Sequence, residues 1–502
     1  MNFGKRLASS VLLNTVRSII IFITGMTLAK GLGPEQYGLF SFLLASFAAI
    51  ITLFDMGSSS AFFSFISKRT RSKSFFMVYF GWVIFQFLTA IILIRLVIPA
   101  DWLALIWQGE SRELVLLAFV GVFFQNQIWT LVVKVGESQR LTTIAQMLGV
   151  AIALIHFLLI IVLYYQGLLS LSYVYFLIIA EILVGAIIAK LIFPLEFNDE
   201  KINLRGNFSE YWIFCKPLVP YVWLSVIMSF ADTWLLRHFG GGVEQGYYAV
   251  AAQMGTVTLL FTSSIVRVLW KEVAEANEQK DIRRVAFVYK KVSRIVFMAG
   301  VVISGYLIPW TDEIITLLLG NEYLEGATVM WIMLLYPIHQ SLGQINGTMY
   351  FALELTKPYV VINSIHLIIS IGAVYFLLAP AEAHVSGLGL GAIGLALKMV
   401  VIQIITVNVS IWWLCQYQGW RFDYEYQAFG IFLFVLLGIC TYIGVNALLD
   451  DSVYLLIRFG LSSTLYLLAA VVIFIKMPWL LGLTDSELKA YISKFKALRS
   501  SL

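Results

Sequence analysis

Apolar runs of about twenty residues, broken by short polar punctuation, fill this chain from end to end. The run over residues 11–29 carries one charge, Arg17, and leads into the elbow Lys30-Gly31-Leu32-Gly33-Pro34-Glu35-Gln36-Tyr37-Gly38-Leu39-Phe40. At about 1.5 Å per residue such a run crosses a hydrocarbon core of about 30 Å. The glycines and proline of the elbow end the helix and turn the chain back. The punctuation returns about 208 residues later as Asp232-Thr233-Trp234-Leu235-Leu236-Arg237, Gly240-Gly241-Gly242 and Gly246-Tyr247-Tyr248-Ala249. A chain that repeats its opening hairpin reads as two similar halves. The pattern predicts fourteen spans. Those of the first half cover 9–30, 38–57, 75–98, 114–134, 141–164 and 168–190. Those of the second cover 212–236, 246–270, 293–319, 327–353, 358–379 and 388–415, and 428–448 and 453–475 follow.

Composition fixes the class: 60% hydrophobic residues, 13% charged and a mean hydropathy of +0.87 leave too little polar surface for a water-soluble domain. The three cysteines, Cys215, Cys415 and Cys440, lie in or beside apolar spans, which points to neither a disulfide framework nor a metal site. Lys5 and Arg6 precede the first run as in a signal peptide, but that run is too long for one. Lysine and arginine collect on one set of connections, among them Lys68, Arg69, Arg71, Lys73, Arg283, Arg284, Lys290, Lys291 and Arg421. The opposite loops hold Lys30, Arg112 and Arg237. The positive-inside rule then places both termini in the cytoplasm. The net charge of +5 is an orientation and lipid-contact signal, with no nucleic-acid footprint.

The expected fold is therefore an all-α polytopic membrane protein with two pseudo-symmetric six-helix lobes plus two C-terminal helices. An even number of spans separates the two halves, so they share one orientation about an axis along the membrane normal. The N-lobe takes 1–192, a cytoplasmic linker 193–211, the C-lobe 212–416, and spans thirteen and fourteen 417–476. The tail over 477–502 spaces Leu488, Tyr491, Ile492 and Phe495 among lysines, as in an amphipathic surface helix. Two bundles facing each other leave a seam between them.

Leu32-Gly33-Pro34-Glu35-Gln36-Tyr37-Gly38-Leu39-Phe40, Phe54-Asp55-Met56-Gly57, and Asp232 ahead of Gly246-Tyr247-Tyr248-Ala249 resemble the polysaccharide flippases. These form the O-antigen translocase branch of the multidrug/oligosaccharidyl-lipid/polysaccharide exporter superfamily. The resemblance implies a V-shaped transporter in the bacterial inner membrane. It would flip undecaprenyl-pyrophosphate-linked sugar by alternating access, beside membrane lipids and the polymerase and chain-length proteins of polysaccharide assembly.

Candidate chemistry rests on polar residues inside spans, because a charge in hydrocarbon is costly and faces a cavity or a partner. Arg17 suits phosphate, being permanently charged and able to bond two oxygens; the alternative is pairing with Asp55 or snorkelling. Lys398 carries the same two readings, and Arg267 beside Trp270 and Lys271 leans to snorkelling. Gln125-Asn126-Gln127 and the group His339, Gln340, Gln344 and Asn346 around Pro337, Gly343 and Gly347 offer donors and acceptors for sugar hydroxyls. Their other reading is interhelical hydrogen bonding. His156, Glu181 and Asp232 are candidate ion-coupling groups, with a His156–Glu181 pair and an Asp232–Arg237 pair as the structural readings.

Gly389-Leu390-Gly391-Ala392-Ile393-Gly394 matches the dinucleotide fingerprint, but it opens a membrane span with no strand–helix unit around it. The sequence holds no P-loop, and no cofactor, metal site or enzymatic activity is expected. A small-cation antiporter of the same superfamily would want a carboxylate-dominated cavity where this chain offers Arg17 and Lys398. A membrane glycosyltransferase or ligase would want a large outer loop, and every predicted outer loop is short.

Overall fold

A computed structural model describes the chain except for residues 1–2, 194, 196, 199–201, 260–268, 270–271, 274, 450–453 and 490–502. The chain forms two compact units: Met1–Ala249 with Val374–Ala392, and Val250–Ala373 with Ile393–Leu502.

The first unit opens with α1 (Phe3–Asp55), in which only Gly33 leaves helical geometry, at φ 72° and ψ 169°. That conformation is essentially restricted to glycine. Pro34 then starts the second rod, where its missing N–H leaves no bond unmade. The predicted eleven-residue elbow is thus a kink at one residue. The helix α10 (Val219–Leu259) repeats it at Gly241, with φ 80° and ψ −169°, 208 residues beyond Gly33.

The two kinks are embedded in each other. A methyl group on Gly38 would overlap the carbonyl oxygen of Gly242 and lie 2.7 Å from the Gly246 nitrogen. One on Gly246 would overlap the Pro34 carbonyl oxygen and lie 2.8 Å from its carbon. Gly246 and Gly242 are the 208-residue equivalents of Gly38 and Pro34, so the contact is reciprocal. Charges close over it. Arg237 Nη2 lies 3.6 Å from Glu110 Oε1, in the loop after the short helix α4 (Ala100–Ile106). Burial pushes the Glu110 carboxyl up, Arg237 pulls it back, and Glu35 adds to the rise.

Asp55 ends α1 by accepting from Ser58 Oγ at 2.8 Å, Ser59 N at 3.1 Å and Ser59 Oγ at 3.0 Å. It thereby opens α2 (Ser58–Lys68). Next come α3 (Lys73–Ile92), a π turn at Leu93–Val97, and a fourth span made of α5 (Arg112–Phe123), a second π turn (Phe124–Ile128) and α6 (Trp129–Ser138). The helices α7 (Thr142–Tyr165) and α8 (Leu171–Ile192) complete the first half.

The linker is held against this half. Strands Arg71–Ser72 and Phe197–Asn198 pair in parallel, and Arg71 makes two 3.0 Å bonds to Glu210 on α9 (Leu204–Cys215). The Arg71 guanidinium also lies 5.0 Å from the Phe65 ring centroid and 4.9 Å from that of Phe75. The seventh span was expected from residue 212. Its helix starts at Val219 instead, because Pro217 and Pro220 lack the N–H groups that would join α9 to α10.

The second unit contains α11 (Ile282–Leu307), α12 (Thr311–Leu318), α13 (Ala327–Ala352), most of α14 (Thr356–Leu378) and α15 (Gly391–Gln418), α16 (Glu425–Leu448) and α17 (Leu455–Lys476). Its core joins Phe297, Val301, Trp310, Leu342, Phe434 and Tyr466. There α11 and α16 cross closely, since a methyl on Gly438 would lie 3.0 Å from the Gly305 carbonyl carbon. The 3₁₀ turn Pro478–Leu481 follows α17, and Arg294 of α11 donates to the Trp479 carbonyl and to Asp423.

Ten stretches among the described residues are long and apolar enough to cross a membrane. The first, Ser9–Asp55, has 47 residues and holds two crossings about Gly33. Of the remaining predicted spans, 212–236 and 327–353 fall largely on α10 and α13, while 246–270 begins on α10 and runs into residues outside those described. Apart from the two-residue strand pair, this is a helical, multi-pass membrane fold with room for the fourteen predicted crossings. Half of the apolar window of α5–α6 and of α11–α12 is buried, against 11% for α7 and α14, so the last two leave most of their apolar surface uncovered within their units.

Gly38→Ala or Gly246→Ala should sharply lower the amount of folded protein recovered from membranes, because the clash is with backbone and no rotamer relieves it. Gly81→Ala is the control, as nothing lies within 4 Å of its added methyl. Wild-type recovery of both elbow variants, judged by size-exclusion chromatography in detergent, would contradict the reciprocal contact.

Candidate functional site

Within the second unit, α13, α14 and α15 enclose a polar cavity of about 230 Å³. Its amides come from Gln340, Gln344 and Asn346 on α13, Asn363 on α14 and Gln403 on α15. Tyr359, Thr406 and Ser410 add hydroxyls, and His366 adds an imidazole. Gly343 and Gly347 also line the α13 wall, where Gln403 and Tyr359 come close to their backbone. The lining is internally bonded. Gln403 Nε2 donates to Gln340 Oε1 at 2.7 Å, Asn346 Nδ2 donates to Ser410 Oγ at 2.7 Å, and Thr406 Oγ1 lies 2.5 Å from His366 Nδ1. Lys398, two turns into α15, is 4% exposed and is not among the residues that line the cavity.

This sorts the predicted α13 group. Gln340 and Gln344 line the cavity, whereas His339, about 100° round the helix, does not. His339 is 4% exposed, bonds Gln427 Oε1 through Nε2 at 3.1 Å, and sits edge-on to Phe297 at 5.6 Å. It belongs to the core. Asn363, His366, Gln403, Thr406 and Ser410 were not anticipated. Their signal was present: polar residues three or four apart form one helical stripe on each of two otherwise apolar spans.

In the first unit, Arg17 lies on the first rod of α1 against α7. Its Cδ and Nε come within 3.6 Å of the position a Gly149 methyl would take, beside Trp129. Its Nε is buried with no hydrogen-bond partner, and no carboxylate pairs with the guanidinium among the described residues. The expected alternative partner, Asp55, is engaged at the start of α2.

Gln125, Asn126 and Gln127 occupy the π turn, a rare geometry often found at functional sites. Gln125 is exposed and Asn126 half-buried. Gln127 is 5% exposed and donates to Gln86 Oε1 of α3 at 3.3 Å, an interhelical bond. His156 Nδ1 and Glu181 Oε2 meet at 2.8 Å between α7 and α8. Asp232 lies on α10, half-buried, two turns before the kink, while Arg237 is placed against Glu110. Arg267 lies outside the described residues. The Gly389–Gly394 stretch has a structural use: Glu244 Oε2 accepts the Ala392 N–H at 2.7 Å, and a methyl on Gly391 would sit 2.7 Å from that oxygen.

Residues 3–270 match the family described as "Polysaccharide biosynthesis protein". The chain belongs to that family. No curated protein matches it in sequence. Among solved structures it is similar to the lipid II flippase MurJ in an inward closed conformation, at 15% identity and a TM-score of 0.69, covering 93% of this chain and 99% of that one. It is also similar to an inward-facing multidrug resistance MATE family transporter of the MOP superfamily, at 15% identity and a TM-score of 0.61, covering 80% and 95%. A MOP superfamily transporter from Pyrococcus furiosus gives 12% identity and a TM-score of 0.54, covering 82% and 94%. At these identities the shared property is the fold, that of the MOP transporters.

The His156–Glu181 pair generates a test. His156→Leu or Glu181→Leu alone leaves one buried partner uncompensated and should cost roughly 3 kcal/mol of stability. The double substitution should cost less than the sum, as read by thermal unfolding in detergent. Additive losses, or unchanged stability with lost transport, would mean that the two do not act as a structural pair.

Proposed function

We propose that this protein is a flippase for undecaprenyl-pyrophosphate-linked oligosaccharide, an O-antigen or related repeat unit. It moves that lipid from the cytoplasmic to the periplasmic leaflet of the bacterial inner membrane by alternating access, and catalyses no covalent chemistry. The observation that carries this reading is Arg17, a guanidinium at membrane depth with no carboxylate partner among the described residues. A pyrophosphate carries at least two negative charges, and taking it into a bundle without counter-charge is prohibitive. At an effective dielectric of about 20, one fixed cation about 4 Å from a phosphate oxygen contributes roughly 4 kcal/mol. Membership of a polysaccharide biosynthesis family supports a glycan cargo, and the amide- and hydroxyl-lined cavity suits sugar hydroxyls. Arg17 receives the headgroup from the cytoplasmic side, and Lys398 holds it once the outer side opens. The partners this implies are the polymerase and chain-length proteins of polysaccharide assembly.

Charge should matter more than shape. Arg17→Lys should keep partial export, while Arg17→Ala and Lys398→Ala should abolish it at normal protein levels. Glycan export at the wild-type rate in the Arg17→Ala/Lys398→Ala double variant would sink this reading.

The same proposal puts both termini and the linker over 193–211 in the cytoplasm, from the lysine and arginine bias. Reporter fusions at Asn203 and Ser493 should behave as cytoplasmic, and periplasmic behaviour at both would reverse the orientation.

A further inference from the structure

The second unit holds another cavity, of about 430 Å³, at the end where α15 passes to α16 and the Pro478–Leu481 turn follows α17. Sites for small molecules run from about 300 to 1,000 Å³. The lining sorts into a floor and a rim. Tyr289, Ser293 and Arg294 of α11 and Tyr426 of α16 are buried, whereas Lys290, Arg421 and Glu425 are exposed. Trp420 and Trp479 add aromatic wall.

The charges of the floor are spent. Arg294 donates to Asp423 and to the Trp479 carbonyl, and its guanidinium lies 4.6 Å from the Tyr426 ring centroid. Lys291, next along α11 and outside the lining, pairs with Glu487 at 3.7 Å. The rim differs. The side chains of Lys290, Arg421 and Glu425 make no hydrogen bond or ion pair among the described residues.

Two unspent cations and one unspent carboxylate therefore share an aromatic-walled cavity. A phosphate suits the guanidinium and the lysine ammonium. An amine suits the carboxylate, and its charge is also drawn to aromatic ring faces. A phosphate alone would leave Glu425 opposed to it, and a metal cation would meet Lys290 and Arg421. The level in the membrane agrees. Tryptophan and tyrosine gather where lipid headgroups lie, and basic pockets between spans bind those headgroups.

We propose that this cavity binds the headgroup of a zwitterionic phospholipid with a primary amine, its phosphate on Lys290 and Arg421 and its ammonium on Glu425. A primary amine is specified because a quaternary one has no N–H to give the carboxylate. The site is separate from the cargo's and does not rest on the flippase reading.

The test mixes the full-length protein in detergent with equimolar phosphatidylethanolamine, phosphatidylglycerol and phosphatidylcholine of identical chains. Lipids retained on the folded protein are counted by native mass spectrometry. Wild type should retain one phosphatidylethanolamine, about tenfold in preference to either competitor. Lys290→Gln/Arg421→Gln should lower that retention about tenfold. Glu425→Gln should lose the preference over phosphatidylglycerol while still retaining lipid. Glycerophosphoethanolamine, the headgroup without chains, should displace the bound lipid. All three residues are exposed, so thermal unfolding of the variants should match wild type. Equal retention of the three lipids, a preference for phosphatidylglycerol or phosphatidylcholine, an unchanged preference in Glu425→Gln, or no displacement by the free headgroup overturns the proposal.

Discussion

The rest of the first unit depends on the contact between its two kinks. Gly38 lies against the Gly242 carbonyl and Gly246 against the Pro34 carbonyl, so two helical hairpins meet backbone to backbone with no side chain between them. Such an approach is possible only with glycine at both crossing points. It also needs the chain to reverse at single residues, Gly33 and Gly241, in a conformation other residues cannot hold. The repeat is thereby a physical contact as well as a sequence pattern, because each copy of the motif is the surface that receives the other. Arg237 and Glu110 close over the crossing, and just beyond it Glu244 caps α15.

A helix in hydrocarbon must satisfy its own backbone, so departures from helical geometry are confined to places where protein surrounds them. Here one such departure coincides with polar side chains. The π turn at Phe124–Ile128 carries all three amides of its span, and the helix that holds Pro337, Gly343 and Gly347 supplies one wall of the polar cavity. Elsewhere polar groups are matched in pairs, as in Gln86 with Gln127, His156 with Glu181 and His339 with Gln427. Arg17 and Arg237 each keep a buried guanidinium nitrogen without a hydrogen-bond partner among the described residues, and the proposed function gives Arg17 a ligand.

The fold class, the apolar spans and the two elbows were legible in the sequence, because each rests on a property confined to a short window. Apolar length, and the conformational limits of glycine and proline, do not depend on what lies elsewhere in the chain. Even so, the elbows were read as loops, since a window cannot show that helical hydrogen bonding continues up to and beyond Gly33. The Pro217 and Pro220 break was visible in the same window, yet the apolar residues around it carried the predicted span across. Arg17 and Lys398 stood out because a charge within an apolar run needs no partner to be noticed.

The sequence by itself therefore determined that the chain is a multi-pass membrane protein, where it turns and which residues cost energy to bury. Only the tertiary structure decided which of those residues meet. Stepping one residue along a helix turns a side chain by about 100°, so His339 goes to the core while Gln340, beside it, faces the cavity. The partners that give each group its role lie on other helices, as far off in sequence as Gln427 is from His339 and Gln86 from Gln127. For the same reason His366 and Thr406, forty residues apart, became a site only when α14 and α15 were set side by side.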